Sequence, residues 1–347
     1  MRITVLMGGT SSERDVSLAS GLRIAEALRS RGHGVRAIDT AKGELSRPDE
    51  QRLLSEGVVK ALPPSPSELA RMNAESLADT AARLPKRGEC DVAFLALHGG
   101  RGEDGTIQAL LDLAGVPYTG SGHLPSALAM DKDLSKHLFR AHDVGTANWL
   151  MATDPSAPPS TASVERVLGW PVIVKPSKQG STVGLSIVKQ SSELTAAIAE
   201  AFEHDDEVMI EQFIAGRELT VGILGGEALP VGEIIPKHEI YDYECKYTAG
   251  MAEEIFPAPL TKEQTAAVQE QARRAFGALK LGGCARIDFR MTTAGEFYCL
   301  EANTLPGMTA TSLIPQAAAA AGIPFPELCE RIARLATEAS VAAGVVP

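Results

Sequence analysis

Two apolar segments in the carboxyl-terminal third of the chain carry polar side chains where a buried strand would normally have hydrocarbon. The segments are ARIDFR and YCLEAN, and their many apolar residues are typical of buried β-strands. Because side chains alternate between the two faces of a strand, Arg286 and Asp288 share one face of the first segment. For the same reason, Glu301 and Asn303 share one face of the second.

If these two strands are neighbours in one sheet, their polar groups form a single patch with two carboxylates, an amide oxygen and a guanidinium group. Magnesium is commonly bound through one or two carboxylates together with substrate phosphates. The patch therefore favours a site for a metal ion and a phosphate. A pair of half-buried structural ion pairs is the alternative, since buried charges also occur in such pairs.

A polar, glycine-containing segment between two predicted strands could cover a phosphate group. It is KPSKQGSTVG, residues 175–184, and it combines backbone donors, hydroxyl groups and two lysines. It is not a Walker A loop, because GxxxxGK[ST] is absent and the lysine comes first. A mobile hairpin without function is the alternative.

Two further glycine-rich segments follow predicted strands, at the strand ends where open α/β sheets usually bind ligands. GGTSSE ends at Glu13 before a helix, and HGGRGEDG begins at His98. The first segment lacks GxGxxG, so it gives little support for a nicotinamide or flavin site. Glu13 could simply interact favourably with the helix dipole, and His98 could have a structural role.

Two more segments have compositions that suit a nucleotide site. Glu211 and Glu218 flank QFIAG at a strand end that could present backbone groups to a purine edge, and an ordinary exposed turn is the alternative. Residues 241–247, YDYECKY, mix aromatic and ionisable side chains, as mobile lids often do. A packed surface loop fits this pattern as well.

Composition places the chain among ordinary globular proteins of two or three domains. It has 347 residues, of which 44% are hydrophobic and 22% charged. The formal charge of −11, without a dense run of Lys or Arg, argues against a nucleic-acid partner. An anionic substrate would therefore need local positive groups that act against the overall field.

Cysteine usage and hydropathy give expectations about the compartment. The five cysteines have an odd count and no CxxC spacing, which argues against a disulfide framework or a zinc site. No segment offers the roughly 18 consecutive apolar residues that a membrane span needs, and residues 2–7 are too short for a signal peptide core. We expect a soluble, cytoplasmic protein without membrane partners.

Periodicity predicts a βαβ unit at the amino terminus and a β-rich remainder. Strand 2–7 is followed by a helix ending near Gly32 and by strand 33–39, and the next clear strand is 91–97. The later strands are predicted at 172–175, 183–188, 208–213, 219–224, 228–235, 285–290 and 298–303. The later helices are predicted at 67–84, 125–141, 261–279 (which opens with a capping box) and 326–343.

Taken together and in chain order, these motifs resemble one family, the D-alanine–D-alanine ligases, which are ATP-grasp enzymes. The resemblance covers nearly the whole chain except residues 42–88 and the last helix. The matching stretches are GGTSSERDVSLASG, ALHGGRGEDGTIQ, YTGSG, MDKDLSK, PVIVKPSKQGSTVG, IEQFIAGRELTV, YDYECKY, ARIDFR and LEANTLPGMTATSLIP.

The resemblance implies an α/β, multi-domain ATP-grasp fold. The expected units are an amino-terminal Rossmann-like substrate domain at 1–122, with an insertion at about 42–88, a central ATP-grasp subdomain at 123–211 and a carboxyl-terminal one at 212–347. ATP would lie between the sheets of the two grasp subdomains.

The resemblance also implies site residues, position by position. The residues that match catalytic positions are Glu13, Ser181, Tyr247 and Arg286. Those that match substrate-binding positions are Glu13, His98, Arg286, Gly307, Ser312 and Leu313. Those that match ATP-binding positions are Lys132, Lys175, Ser177, Ser181, Glu211, Ile214, Glu218 and Lys246. Those that match ligands of two Mg²⁺ (or Mn²⁺) ions are Asp288, Glu301 and Asn303.

The activity implied by the resemblance is ATP-dependent ligation of two D-alanines through an acyl phosphate, for peptidoglycan precursor synthesis. Relatives of this kind are commonly homodimers. The alternatives are ligases that accept D-lactate or D-serine as the second substrate and, in a different class, a nucleotide-binding regulator without turnover. Tyr247 together with His98 favours the dipeptide, because depsipeptide-forming relatives usually have phenylalanine at position 247. Leu305, where the family usually has serine, and the GGRGEDG order are departures that remove no predicted ligand.

Overall fold

The computed structural model describes residues 1–56, 77–241, 245 and 250–342. The strands in chain order are β1 (Arg2–Met7), β2 (Gly34–Asp39), β3 (Gly43–Glu44), β4 (Val92–Leu95), β5 (Trp149–Ala152), β6 (Val172–Pro176), β7 (Ser186–Val188), β8 (Val208–Gln212), β9 (Arg217–Leu224), β10 (Glu227–Ala228), β11 (Gly232–Pro236), β12 (Ala252–Ile255), β13 (Cys284–Met291) and β14 (Phe297–Asn303).

The helices pack around three sheets formed by these strands. In chain order they are α1 (Arg14–Ser30), α2 (Arg47–Glu56), α3 (Leu77–Arg83), α4 (Thr106–Ala114), α5 (His123–Met130), α6 (Lys132–Ala141), α7 (Thr161–Val167), α8 (Leu194–Phe202), α9 (Lys262–Ala278), α10 (Leu313–Ala320) and α11 (Phe325–Ala342). The sheets have the strand orders β3-β2-β1-β4, β5-β8-β6-β7 and β12-β11-β9-β13-β14, with β10 paired to β9.

The amino-terminal sheet contains the predicted βαβ unit. Strand β1 pairs in parallel with β2 and β4, and β3 adds an antiparallel edge. Helix α1 buries Leu18, Leu22, Ala25 and Leu28 at helical spacing, so its apolar face lies against the sheet. This topology places the glycine-rich segments after β1 and β4 at one edge of the sheet, as expected.

The strands ARIDFR and YCLEAN are neighbours in the third sheet, which meets the condition for a single polar patch. Strand β13 pairs antiparallel with β14, and Arg286 lies opposite Asn303 while Asp288 lies opposite Glu301. The register shifts immediately after Asp288. Opposing residues in an antiparallel pair have their Cβ atoms about 4.5–5.5 Å apart, so the four polar side chains form one patch.

Three predicted elements differ from the structure. The strand predicted at 183–188 is confined to β7, because Ser181, Thr182 and Gly184 adopt positive φ and form a turn. The helix predicted at 125–141 is two helices, since Asp131 leaves the helical conformation and its side chain caps α6. The strand predicted at 228–235 is divided into β10 and β11.

The remaining predicted helices agree with the structure where it describes them. Helix α9 begins with the predicted capping box, in which Thr261 and Gln264 bond each other's backbone N–H groups. Helix α11 spans the predicted carboxyl-terminal helix within one residue at each end. Of the helix predicted at 67–84, residues 67–76 lie outside the described part, and α3 occupies residues 77–83.

Packing joins the first and third sheets and leaves the second with its own core. Residues of β1 and α1 share a hydrophobic cluster with residues of β9, α10 and α11. The central sheet, with α7 and α8, has a separate cluster within residues 150–210. The boundaries proposed at 122 and 211 assign α5 and α6 to the central subdomain. In the structure these two helices pack onto the third sheet.

No helix of the described ranges is long and apolar enough to cross a membrane. All five cysteines are buried and carry free thiols. Burial raises the pKa of Cys284 and of Cys329 to about 12, so these two thiols are protonated at neutral pH.

Candidate active site between the sheets

Two adjoining clefts bring together most of the predicted site residues. The larger cleft, of about 980 Å³, is lined by nine of them: Lys132, Lys175, Ser181, Glu211, Ile214, Glu218, Arg286, Asp288 and Glu301. The smaller cleft, of about 620 Å³, is lined by Glu13, His98, Ser181, Arg286, Asn303, Gly307, Ser312 and Leu313. Ser181 and Arg286 line both clefts, so the two spaces meet at these side chains.

Asp288 is the centre of the polar patch on β13 and β14. One carboxylate oxygen accepts from Thr220 Oγ1 at 2.7 Å and from Arg286 Nε at 2.9 Å. The other accepts from Arg286 Nη2 at 2.8 Å and from Asn303 Nδ2 at 3.0 Å. Burial alone would lower the pKa of Arg286, but Asp288 raises it above its ordinary value, so the guanidinium stays charged.

Glu301, opposite Asp288 in the sheet, faces a lysine from another element. Lys132 Nζ lies 3.3 Å from Glu301 Oε2 and donates to the carbonyl of Gln179 at 2.7 Å. Lys132 is the first residue of α6, which begins at the Asp131 cap. The break between α5 and α6 therefore positions this lysine between the polar patch and the glycine-containing loop.

These donor groups suit a divalent ion whose coordination is completed by phosphate and water. Among the described residues, no group of three His, Cys, Asp or Glu is arranged to hold a metal by itself. Asp288 and Glu301 offer two carboxylates, which is the number Mg²⁺ commonly takes alongside phosphate oxygens. Asn303 donates its amide nitrogen to Asp288, so ligation would require its amide oxygen to turn inward.

Lys175 shares one carboxylate with a second lysine that our sequence interpretation missed. Glu211 accepts from Lys175 Nζ at 2.6 Å through one oxygen and from Lys136 Nζ through the other. Burial alone would raise the pKa of Glu211, but the two ammonium groups lower it to about 2. Lys136 lies one helical turn after Lys132, and that spacing was the available signal.

Arg290 is another residue that sequence interpretation missed. It donates from Nε to the carbonyl of Ile214 at 3.2 Å and lies 3.3 Å from Glu218. It therefore connects two residues predicted to contact the nucleotide. Arg286, Asp288 and Arg290 occupy every second position of β13. Side-chain alternation therefore predicts that all three share one face of the strand.

The glycine-containing loop is held closed by contacts from two directions. Ser181 Oγ donates to Glu13, which lies at the start of α1. Thr182 Oγ1 donates to the carbonyl of Tyr241 at 3.0 Å. A Cβ atom on Gly180 would lie 3.1 Å from the Glu13 carboxylate, so the close approach of loop and helix favours glycine there.

Ser177 is the one predicted residue of the described ranges that lines neither cleft. It is fully buried at the start of the loop, and its backbone N–H donates to Glu207 at 2.9 Å. Its hydroxyl has no hydrogen-bond partner among the described residues. Lys178, the next residue, is anchored by Asp205, Asp206 and Glu207.

Both ring nitrogens of His98 are bonded within the protein. Nδ1 lies 2.9 Å from the carbonyl of Leu305, and Nε2 lies 3.1 Å from Ser20 Oγ. A carbonyl only accepts, so Nδ1 carries the proton and Nε2 accepts from the serine hydroxyl. Burial lowers the pKa of His98, and the neutral ring then fixes the loop that contains Leu305.

Glu103 is a third residue without a predicted role. Its carboxylate accepts from the backbone N–H of Gly99 and of Leu305, both at 3.1 Å. It thus joins the glycine-rich loop after β4 to the loop after β14. Burial, and secondly the negative charge of Glu13, raise the pKa of Glu103 to about 7. Leu305 itself packs into the amino-terminal core.

The raised pKa of Glu103 predicts a pH-dependent stability. The unfolded carboxyl loses its proton near pH 4.5 and the folded one near pH 7. Between these values the unfolded state binds fewer protons, so the contribution of Glu103 to stability falls as the pH rises. Relative to Glu103→Gln, we expect the wild-type free energy of unfolding to decrease by up to about 3 kcal/mol from pH 4.5 to pH 7.5. Urea titrations of both proteins across this pH range measure the change. If the free energies of unfolding of the two proteins changed equally with pH, the prediction would be wrong.

Gly307, Ser312 and Leu313 close the far end of the smaller cleft. Ser312 Oγ accepts from the backbone N–H of Thr309 at 2.9 Å, and a Cβ atom on Gly307 would lie 2.7 Å from it. Leu313 opens α10 and packs with Tyr241. The helix N-terminus is therefore directed at the cleft, where its backbone N–H groups suit a carboxylate.

Lys246 and Tyr247, predicted to bind ATP and to act in catalysis, lie outside the described residues. Their roles stay predictions. The flanking Tyr241 is described, and its hydroxyl donates to Glu254 at 2.8 Å.

Comparisons with known proteins agree with the motifs. Residues 2–121 match the family model for the D-ala D-ala ligase N-terminus, and residues 138–334 match the model for the C-terminus. A D-alanine–D-alanine ligase of Syntrophotalea carbinolica is 44% identical over 335 residues, covering 95% of this chain and 94% of that protein. One of Geobacter sulfurreducens is 43% identical over 332 residues, with coverages of 95% and 92%.

Solved structures show the same similarity over the whole chain. The D-alanine–D-alanine ligase of Bacillus anthracis in complex with ATP is 31% identical, with a TM-score of 0.74 over 99% of each chain. The ligase of Coxiella burnetii is 28% identical, with a TM-score of 0.79 over 99% of this chain and 96% of that one. The predicted ATP-grasp fold is thereby confirmed. Its motifs, both halves of its sequence and its fold place this chain in the D-alanine–D-alanine ligase family.

Proposed function

We propose that this protein joins two D-alanine molecules to D-alanyl-D-alanine with ATP, releasing ADP and phosphate. The observation that carries the proposal is the meeting of two clefts at Arg286 and Ser181. The larger cleft is lined by lysines and carboxylates that suit a nucleoside triphosphate and its metal ion. The other ends at backbone donors suited to an amino acid carboxylate. A ligase needs both substrates at one junction.

The chemistry of amide formation explains the need for ATP. A carboxylate is a poor acyl donor, because oxide would have to leave. Transfer of the γ-phosphoryl group to the first D-alanine gives an acyl phosphate, and the amine of the second D-alanine then displaces phosphate. Phosphoryl transfer depends mainly on positioning and charge neutralisation. In the larger cleft, Lys132 and Lys175 supply positive charge close to the loop at 175–184.

We assign nucleotide binding to residues that line the larger cleft. Ile214 and Glu218 lie together around Arg290, where a purine and a ribose would fit. Glu211 would contact the purine through its backbone, because its carboxylate is directed at two lysines. Asp288, Glu301 and Asn303 would hold Mg²⁺ or Mn²⁺, which would neutralise phosphate charge when bound.

We assign the first D-alanine to the junction and the second to the far end of the smaller cleft. The carboxylate of Glu13 suits the ammonium group of the first substrate. Arg286 would bind its carboxylate and then stabilise the negative charge that develops on the attacked carbonyl. His98 supports this end by holding Leu305 and Ser20. The turn at Ser312 and Leu313 would bind the second carboxylate.

Phosphate release with ATP, magnesium and either D-alanine or L-alanine tests the function. We expect release that depends on D-alanine, and a product with the mass of the dipeptide. D-lactate and D-serine as second substrates test the two alternative ligase activities by product mass. ATP binding without phosphate release under any of these conditions would instead indicate a non-catalytic regulator.

Location and assembly are part of the proposal. Cytoplasmic ATP and five buried free thiols suit a protein in the reducing cytoplasm. A homodimer is proposed from the family resemblance, and sedimentation equilibrium would measure it. The product would serve peptidoglycan precursor synthesis.

A further inference from the structure

Lys136 is a fully buried cation that the proposed mechanism does not use. Its exposed fraction is 0%, and it is among the largest fully buried side chains. Its ammonium donates to Glu211 and, at 2.6 Å, to Thr146 Oγ1, and lies over the ring of Trp149 at 5.1 Å. It does not line either cleft. Lys136 therefore acts on a ligand only through Glu211 or through the elements around it.

Glu211 is a single carboxylate shared by two lysines with different surroundings. Lys175 lines the larger cleft, at the end of β6 where the loop begins. Lys136, from α6, donates to the other oxygen of the carboxylate. Glu211 is 2% exposed, so water cannot replace a lost partner. A buried carboxylate that loses its only cation is strongly destabilised.

This arrangement bears on how Lys175 can reach a phosphate group. Its ammonium is bonded to Glu211 at 2.6 Å in this structure. To bond a nucleotide phosphate, Lys175 must weaken or leave that contact. If Lys175 were the only cation beside Glu211, the carboxylate would be left uncompensated. With Lys136 on the other oxygen, Glu211 keeps one charge-assisted hydrogen bond throughout.

We propose that Lys136 is a positioning residue, the permanent counter-ion of Glu211, which allows Lys175 to exchange its bond to Glu211 for a bond to a nucleotide phosphate. The inference rests on the proposed nucleotide site in the larger cleft. In this proposal Lys136 affects the binding of ATP. It does not affect the smaller cleft, which is proposed to bind D-alanine and which neither Lys136 nor Lys175 lines.

Lys136→Gln tests the proposal, since glutamine can still donate to Thr146 or Glu211 but carries no charge. Calorimetric titration with magnesium and ATP, without D-alanine, is expected to show binding at least about tenfold weaker than wild type, since Lys175 stays on Glu211. Steady-state assays should show a raised KM for ATP with less than about a twofold change in KM for D-alanine. Lys136→Met, which is apolar and similar in volume, is expected to show the same selective loss.

A double variant separates charge compensation from a merely structural role. In Lys136→Gln combined with Glu211→Gln, no carboxylate holds Lys175, so ATP binding should recover most of the loss of the single variant. A structural role predicts instead that the two losses add. Thr146→Val is the matched control: it removes a hydrogen bond of Lys136 but leaves both charges, and ATP binding should stay within about threefold of wild type. Thermal unfolding establishes that each variant is folded before titration.

The outcomes distinguish this inference from the proposed function. Wild-type protein that does not bind ATP would overturn the proposed function, and the inference with it. Wild-type binding together with unchanged ATP binding in both single variants at Lys136 would overturn the inference alone. Equal losses for ATP and D-alanine, or no recovery in the double variant, would also overturn it.

Discussion

Arg286→Met is expected to lower kcat for dipeptide formation by about a hundredfold to a thousandfold, the usual effect of removing one oxyanion donor. The guanidinium lies where the two clefts meet and donates three hydrogen bonds to Asp288, of 2.8, 2.9 and 3.2 Å. Such fixed charge costs no reorganisation during the reaction. Phosphate release under saturating ATP and D-alanine measures the change.

Arg286→Lys is the control for this prediction. It keeps the charge but loses the planar pair of donors that match a carboxylate. We expect an activity between those of wild type and Arg286→Met. Because Asp288 keeps Thr220 and Asn303 as donors, the methionine variant should remain folded. Activity within threefold of wild type in the methionine variant would show that Arg286 does not act on the reacting carbonyl.

Asp288→Ala is expected to lower phosphate release by roughly a thousandfold, equivalent to about 4 kcal/mol of transition-state stabilisation. Asp288 accepts hydrogen bonds from Thr220, Arg286 and Asn303, so its loss frees three groups of the site at once. It also removes one of the two carboxylates proposed to hold the divalent ion. Phosphate release as a function of magnesium concentration measures both effects.

Thr220→Val provides the matched control, since it removes one hydrogen bond to Asp288 and leaves both proposed carboxylate ligands. We expect a loss of less than about tenfold and a nearly unchanged magnesium requirement. If Asp288→Ala released phosphate at the wild-type rate, Asp288 could not be a metal ligand of the reaction.

Side-chain alternation predicted which polar side chains share a strand face, because strand periodicity is local. It placed Arg286 beside Asp288 on one face of its strand, and the pairing of β13 with β14 confirms that the two strands are neighbours. Applied one step further, the same rule would have included Arg290. The fold was predictable mainly from the resemblance, since nine motifs in family order restrict the topology far more than local propensity does.

Contacts between distant segments could not be predicted from periodicity. Glu211 and Lys136 are separated by 75 positions, and only the tertiary fold brings α6 and the end of β8 together. Glu103 acquires its raised pKa from burial between two loops that are 202 positions apart. The break at Asp131 was missed because a helical pattern continues on both sides, while its side chain caps the second helix.

The separate hydrophobic core of the central sheet would allow this sheet to move as a unit. The first and third sheets share a hydrophobic core, whereas the central sheet has its own core within residues 150–210. Because these cores are separate, we expect the site to open by rotation of the central sheet away from the first and third sheets. Ser181 would move with the central sheet, whereas Glu13 lies at the start of α1 beside the first sheet. Their hydrogen bond therefore connects the two parts. We expect this hydrogen bond to break when the site opens, so the rate of product release would depend on the carboxylate that is proposed to bind the first substrate.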